Sequence, residues 1–175
     1  LLYYMKNQKT TTIFQSNPIL TNDNEYYTYS KTWNRIKDYI PKDKIISEPF
    51  GYNPDLEGFK YLKSICKEIR YCEGDFFKND FKNVECIISN PPYNPRGMKE
   101  KIFRKLKELD IPFIMLVPST CLHTKYLYDI FNGNDIQVLM PKDKINFYQI
   151  KDNKIIKRNN CSFYTCFICY KMKLD

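Results

Sequence analysis

The sequence lacks any hydrophobic run that could cross a bilayer, because no apolar stretch approaches the ~20 residues that a membrane-spanning helix needs. It has a single histidine among its 175 residues, His123, and no second Cys-x-x-C pair to accompany Cys166 and Cys169. These two cysteines lie in a predicted strand, where positions three apart point to opposite faces, so they cannot share a zinc ion. The sequence therefore predicts no metal site, and it predicts that the seven cysteines are reduced residues of an intracellular, non-secreted protein.

Acidic residues are in the minority: 28 Lys and Arg stand against 20 Asp and Glu, giving a net charge of +8. A basic chain favours a polyanionic partner, although a solvated basic surface or the codon usage of an AT-rich genome would explain the same excess. Many of the basic residues fall in two clusters: Arg96, Lys99, Lys101, Arg104, Lys105 and Lys107, and then Lys142, Lys144, Lys151, Lys154, Lys157 and Arg158. This distribution favours nucleic acid as the partner.

Apolar periodicity predicts short strands that alternate with helices. The predicted strands are 44–47, 69–72, 84–89, 113–117, 136–140 and 161–172, and the predicted helices are 33–40, 55–66, 98–109 and 119–131. This alternation predicts an α/β fold with a mostly parallel sheet and helices on both faces. The last two strands lack a helix between them, so we expect an antiparallel C-terminal hairpin with a polar excursion at 142–158. Residues 1–25 are predicted to form an N-terminal arm and residues 26–175 a single domain.

The stretch Asn90-Pro91-Pro92-Tyr93 directly follows the predicted strand 84–89. A Pro-Pro pair stops the hydrogen-bond ladder of a sheet and fixes the direction of the chain. It holds the Asn90 amide and the Tyr93 ring at the edge where open α/β sheets bind ligands. An amide beside an aromatic ring suits the binding of a flat, amino-bearing group. The alternative is a proline-rich turn that only ends the strand.

Residues 89–93 resemble the catalytic loop of S-adenosylmethionine-dependent amino-methyltransferases, above all the adenine-N6 DNA enzymes. The order of the motifs is similar to that of small methyltransferases of phages and large DNA viruses. The resemblance implies a Rossmann-like class I methyltransferase sheet with S-adenosyl-L-methionine as cofactor. It also implies that the Asn90 side-chain oxygen and the Pro91 carbonyl accept the hydrogens of the target amine. Pro92 completes the loop, and Tyr93 stacks on a flipped adenine.

The resemblance further implies cofactor-binding residues at strand ends. Glu48-Pro49-Phe50-Gly51 lies where the family has an acidic-Pro-x-x-Gly-x-Gly loop, although the glycine pair is missing here and a simple turn is the alternative. Asp75-Phe76 matches the position that contacts the cofactor's adenine, with a turn Asp and a core Phe as the alternative. Thr28 corresponds to the residue that meets the cofactor carboxylate, and Glu73 stands in for the acidic residue that binds the ribose hydroxyls.

Other residues concern the substrate. The resemblance implies that Phe147 stacks against the target base, whereas a core Phe is the alternative. Arg96, Arg104 and Lys105 follow the Pro-Pro loop, and we expect them to contact the nucleic acid. The chain leaves no obvious room for a target-recognition domain, so specificity is expected from short loops, from residues 142–158 or from a partner chain.

The function implied is methyl transfer to the N6 amino group of adenine in nucleic acid, with DNA favoured. Adenine in RNA and glutamine in protein remain open as substrates. The altered glycine loop leaves a second hypothesis, a degenerate methyltransferase fold that serves as a nucleic-acid-binding or structural subunit. The expected location is the cytoplasm, a viral factory or a virion.

Overall fold

The structure, a computed structural model, describes residues 26–50, 55–72, 75–93, 96–132, 135–151, 154–158 and 161–174. The predicted N-terminal arm lies outside these ranges. The strands are β1 Tyr27–Thr28, β2 Ile45–Ser47, β3 Glu68–Arg70, β4 Cys86–Ser89, β5 Phe113–Pro118, β6 Ile136–Leu139, β7 Phe147–Lys151, β8 Lys154–Arg158 and β9 Thr165–Tyr170. The α-helices are α1 Ser30–Asn34, α2 Glu57–Ile65, α3 Met98–Leu109 and α4 Lys125–Phe131, and short 3-10 helices span Phe76–Lys78 and Ser119–His123.

The main sheet has six strands in the order β3-β2-β4-β5-β9-β6. Strands β3, β2, β4 and β5 run parallel to one another, and β9 runs antiparallel between β5 and β6. The prediction of a mostly parallel sheet with antiparallel C-terminal strands is confirmed. Strands β6 and β9 pair as predicted, but a hairpin of another sheet lies between them in sequence.

That hairpin corrects the prediction of a polar excursion at residues 142–158. Strands β7 and β8 pair with each other, and β7 also pairs with β1 to complete a three-stranded sheet. Phe147 and Tyr148, opposite Thr28 and Tyr27, are 0% and 3% exposed. Because lysines flank this short buried segment on both sides, a prediction based on polarity alone assigns the whole stretch to a polar loop.

Apolar side chains cover both faces of the main sheet, as expected for parallel strands flanked by helices. Along β5, Phe113, Met115 and Val117 pack in the cluster that contains the apolar residues of α3 and α4. Ile114 and Leu116 point the other way, into the cluster that α1 and α2 cover. The predicted placement of helices on both faces is therefore confirmed.

Strand β9 confirms the reasoning about the two cysteines. Cys166 lies in the cluster on the α3 side and Cys169 in the cluster on the α1 side, so the thiols are on opposite faces. Burial raises the pKa of each thiol to about 12, which keeps both protonated near neutral pH. These residues belong to the apolar core.

Two predicted helices differ in detail from the observed ones. The first is regular only from Ser30 to Asn34 and continues as turns, yet it still buries Trp33, Ile36 and Ile40 as the spacing predicts. The segment predicted as one helix from residue 119 to 131 is a 3-10 helix followed by α4, and Ser119 does not cap it. None of the helices in the described ranges has the length and apolar composition that traversing a bilayer requires.

Candidate active site

The carboxyl ends of β2 and β4 meet at a topological switch point. From β2 the chain passes through α2 to β3 on one side, and it then returns to β4 on the other side of β2. In open α/β sheets the crevice at such a point is the usual ligand site. Glu48 follows β2 and Asn90 follows β4, so the two motifs that the sequence singled out lie at this crevice.

A hydrogen bond joins these two strand ends directly. The Ser89 hydroxyl donates to Glu48 Oε1, and the two residues are 0% and 4% exposed. The Glu48 backbone N–H donates to the Arg70 carbonyl, 2.8 Å away, so the same residue also holds the end of β3. The predicted cofactor loop therefore begins at a residue that is hydrogen-bonded to the strand end that precedes Asn90. Sequence reasoning did not assign Ser89 this role, although its place at the end of the strand was a signal.

The Asn90 side chain is held at both ends of its amide. Its Nδ2 donates to the Tyr26 carbonyl at 2.6 Å, which orients the amide. Its Oδ1 accepts a hydrogen bond from the Tyr93 hydroxyl at 2.8 Å, and that hydroxyl lies 3.4 Å from the Leu116 carbonyl. The amide is thus oriented by Tyr26, and its oxygen accepts a hydrogen bond from the tyrosine of the same loop.

The Tyr93 ring is half-buried and packs against the body of the protein. It meets Phe163 edge to face, with ring centroids 5.6 Å apart. Burial holds the pKa of the Tyr93 hydroxyl well above its usual range, so it remains a hydrogen-bond donor. The Lys99 ammonium donates to the Tyr93 carbonyl at 3.1 Å and lies 5.8 Å from the ring centroid.

The cofactor-binding residues predicted from the resemblance gather along the same edge. Phe50 and Phe76 pack together with ring centroids 4.5 Å apart, and Pro49 is also buried. Asp75 caps the following 3-10 turn, because its Oδ1 accepts from the Phe77 backbone N–H at 3.0 Å. Phe76 is 1% exposed, which agrees with its alternative as a core residue. Gly51 and Glu73 lie outside the described residues.

Two features bear on whether this edge fits S-adenosyl-L-methionine. The Thr28 hydroxyl is buried and has no hydrogen-bond partner among the described residues, so a polar ligand atom would satisfy it. A surface cleft of about 440 Å³ opens beside the ends of β2 and β3, with Ser47 and Cys72 in its wall. These two residues directly precede the predicted cofactor residues Glu48 and Glu73. The predicted cofactor residues that the structure describes do not themselves line this cleft, so the buried Thr28 hydroxyl is the described polar atom that a ligand would satisfy.

The predicted substrate-binding residues fall into two groups. Phe147 is 0% exposed and packs in the core, in agreement with its structural alternative. Arg104 pairs with Glu100 at 2.7 Å and Lys105 with Glu108 at 3.1 Å, so their charges are balanced within α3.

Three other basic residues carry no such partner. Arg96 and Lys101 are exposed and Lys99 is half-buried, and none of the three forms an ion pair with a residue that the structure describes. They lie around the start of α3, next to the Asn90 loop. Gly97 begins the helix there with a φ of +87°, a conformation that glycine adopts without strain. Among the basic residues that follow the Asn90 loop, these three therefore keep a positive charge that no described acidic side chain balances.

Comparisons with known proteins place no specific family on the chain. No family model and no curated protein sequence matches it. Among solved structures, it is similar to precorrin 8W decarboxylase of Methanobacterium thermoautotrophicum, with 13% identity and a TM-score of 0.48 over 87% of this chain and 95% of that one.

Two further structures carry methyltransferase names. An S-adenosylmethionine-dependent O-methyltransferase from Thermotoga maritima has 14% identity and a TM-score of 0.40 over 98% of this chain and 71% of that one. A release-factor-specific protein-(glutamine-N5) methyltransferase from Alicyclobacillus acidocaldarius has 12% identity and a TM-score of 0.41 over 80% of this chain and 87% of that one. The likeness is one of fold at low identity.

Proposed function

We propose that this protein transfers a methyl group from S-adenosyl-L-methionine to the N6 amino group of adenine in nucleic acid, with DNA as the favoured substrate. The observation that carries the proposal is the position of Asn90. Its amide stands at the carboxyl end of β4, at the switch point, and the Tyr26 carbonyl orients it at 2.6 Å. An oriented amide oxygen at a ligand crevice is suited to receive an amino group.

An exocyclic amine is a weak nucleophile because its lone pair is delocalised into the ring. Two acceptors placed at its hydrogens, the Asn90 Oδ1 and the Pro91 carbonyl, draw the nitrogen toward tetrahedral geometry and localise that pair. When bound, S-adenosyl-L-methionine supplies a methyl group on a positively charged sulfur. The protein therefore contributes chiefly alignment, which is worth roughly 7–11 kcal/mol in well-oriented reactions. No strong base is required, in keeping with a loop that has no histidine or carboxylate.

The Tyr93 hydroxyl takes one of the two acceptor positions of Asn90 Oδ1, and we propose that it leaves when the amine binds. It donates to Oδ1 at 2.8 Å, at the place that a substrate N–H would take. The exchange replaces one hydrogen bond by another, so its net free-energy cost is small. We propose that this movement also turns the Tyr93 ring toward the incoming base.

Nucleic acid is favoured over protein as the substrate for reasons of charge. The net charge is +8, and Arg96, Lys99 and Lys101 lie beside the Asn90 loop without an acidic partner among the described residues. Phosphate groups are the natural partners of such residues. Adenine in RNA and glutamine in protein are the other substrates that this chemistry allows, and a partner chain could add target specificity.

The second candidate function is a degenerate methyltransferase fold that binds nucleic acid without catalysis. The contact between Tyr93 and Asn90 favours it, because one of the two acceptor positions of the amide oxygen is already taken within the protein. The two candidates differ in whether the cofactor binds.

Calorimetric titration with S-adenosyl-L-methionine tests the proposal. We expect micromolar binding by the wild-type protein, and binding within a few fold of that by Asn90→Ala, which loses methyl transfer. Asn34→Ala is the matched control, since Asn34 likewise accepts a tyrosine hydroxyl at 2.8 Å, from Tyr61. Asn34→Ala should keep both cofactor binding and methyl transfer. Absence of binding by the wild-type protein at millimolar cofactor would contradict the proposal and support the degenerate fold.

A further inference from the structure

Tyr164 is a large aromatic residue displayed at the active-site edge of the main sheet. Its side chain is 67% exposed, although the strand that begins at the next residue is buried throughout. Strand β9 runs antiparallel to β5, with Thr165 opposite Pro118, so the start of β9 lies at the carboxyl end of β5. This is the same edge that carries Glu48 and Asn90.

The backbone of Tyr164 is fixed on both sides. Its carbonyl accepts a hydrogen bond from the Ser119 N–H at 2.9 Å, just beyond the end of β5. The preceding residue, Phe163, points inward and packs against Tyr26, Phe147 and Tyr93 with ring centroids 5.6, 5.9 and 5.6 Å away. Tyr164 is therefore held one residue away from a ring that touches the catalytic loop.

A positive charge accompanies the exposed ring. The Lys144 ammonium lies 5.0 Å from the Tyr164 ring centroid, and Lys144 forms no ion pair with a described residue. The segment that carries it is tied down, because Arg35 Nη1 donates to the Asp143 carbonyl at 2.9 Å. Asp143 is exposed and adds one negative charge beside the positive charges of Arg35 and Lys144, so positive charge remains in excess here.

We propose that Tyr164 and Lys144 form a stacking platform for a nucleic-acid base next to the target adenine, with Lys144 contacting the adjoining phosphate. The proposal rests on the proposed function for the identity of the substrate, and it adds a binding residue that the motifs do not include. An exposed ring with a cation beside it matches the two parts of a nucleotide, a base that stacks and a phosphate that carries charge.

Fluorescence anisotropy with a short, labelled, single-stranded DNA that contains adenines tests the platform without cofactor. Tyr164→Ala should weaken binding about tenfold, within the range for loss of one base–aromatic stack. Tyr164→Phe keeps the ring and should bind within about twofold of wild type, since stacking needs no hydroxyl. Tyr128→Ala is the matched control, because Tyr128 is 68% exposed on α4 and should bind as wild type does.

A second DNA, with abasic sites in place of the bases, separates stacking from charge. On that DNA the effect of Tyr164→Ala should disappear, while Lys144→Gln should still weaken binding and reduce the salt slope by about 0.7. Equal affinity of Tyr164→Ala and wild type for the DNA with bases would overturn the platform, as would a wild-type protein that binds no single-stranded DNA. If only the proposed function is wrong, the protein should still bind DNA in a way that depends on Tyr164 but should not transfer a methyl group.

Discussion

Replacing Tyr93 with phenylalanine removes the hydroxyl that occupies the Asn90 acceptor while keeping the ring. In the structure that hydroxyl donates to Asn90 Oδ1 at 2.8 Å and approaches the Leu116 carbonyl at 3.4 Å. The edge-to-face contact with Phe163 involves the ring and is retained. The substitution therefore removes the hydrogen bond to Asn90 and keeps the ring that is proposed to stack.

The expected size of the effect derives from the hydrogen bond that is lost. A neutral hydrogen bond contributes about 0.5–1.5 kcal/mol net, so Tyr93→Phe should lower the free energy of unfolding by about that amount. The amine of the substrate no longer has to displace the hydroxyl. The value of kcat/KM for methyl transfer should rise by about twofold to twelvefold, the same free energy expressed as a rate ratio.

The assay is steady-state methyl transfer to an adenine-containing DNA, combined with urea unfolding. Tyr61→Phe is the matched control. The Tyr61 hydroxyl, on α2, also donates to an asparagine Oδ1 at 2.8 Å, but this asparagine is Asn34 and lies outside the Asn90 loop. It should lose similar stability and keep its kcat/KM. A fall of kcat/KM below the wild-type value in Tyr93→Phe would refute the idea that the hydroxyl competes with the substrate.

Three further predictions concern the framework and the charges. Ser89→Ala removes the donor to buried Glu48 and should lower the free energy of unfolding by about 1–3 kcal/mol in urea titrations; an unchanged midpoint would show that the bond contributes nothing. Arg96→Gln should reduce the salt slope of single-stranded DNA binding by about 0.7, whereas Arg104→Gln, already paired with a glutamate, should reduce it less. Burial raises the pKa of Cys86 from 9.0 to about 12, so the unfolded chain ionises first and stability should fall as pH rises from 9 toward 12. Urea unfolding at pH 8 and pH 10 checks the sign, and greater stability at pH 10 would contradict it.

Most of the fold could be predicted because periodicity reports burial. The apolar runs ending at Ser47 and Ser89 correspond to β2 and β4, and parallel pairing then requires that the residues after them share one edge. The same logic put Cys166 and Cys169 on opposite faces of a strand. Predictions that rest on period and strand direction need no knowledge of side-chain contacts.

The contacts inside the site could not be predicted in this way. The Tyr93 hydroxyl donates to Asn90 and the Ser89 hydroxyl to Glu48. Both contacts depend on side-chain rotamers, which are fixed by residues distant in sequence. The charges of α3 are a similar case. Arg104 looked available in a basic run, yet Glu100 lies one helical turn away and balances it.

The hairpin of β7 and β8 shows that amino-acid composition alone does not predict which aromatic residues are buried. The resemblance predicts that Phe147 stacks on a base, whereas the structure buries it between β1 and the main core. Tyr164, which no motif singled out, is an aromatic residue that is exposed at this edge. Exposure of a ring is decided by the packing of its neighbours, here Phe163, and a single sequence does not report it.

The most direct test of the central claim is nucleoside analysis by mass spectrometry after incubation with labelled S-adenosyl-L-methionine and adenine-containing DNA. The account predicts labelled N6-methyladenine from the wild-type protein and none from Asn90→Ala. Absence of any labelled nucleoside from a wild-type protein that binds both cofactor and DNA, or equal labelling by Asn90→Ala, would contradict it.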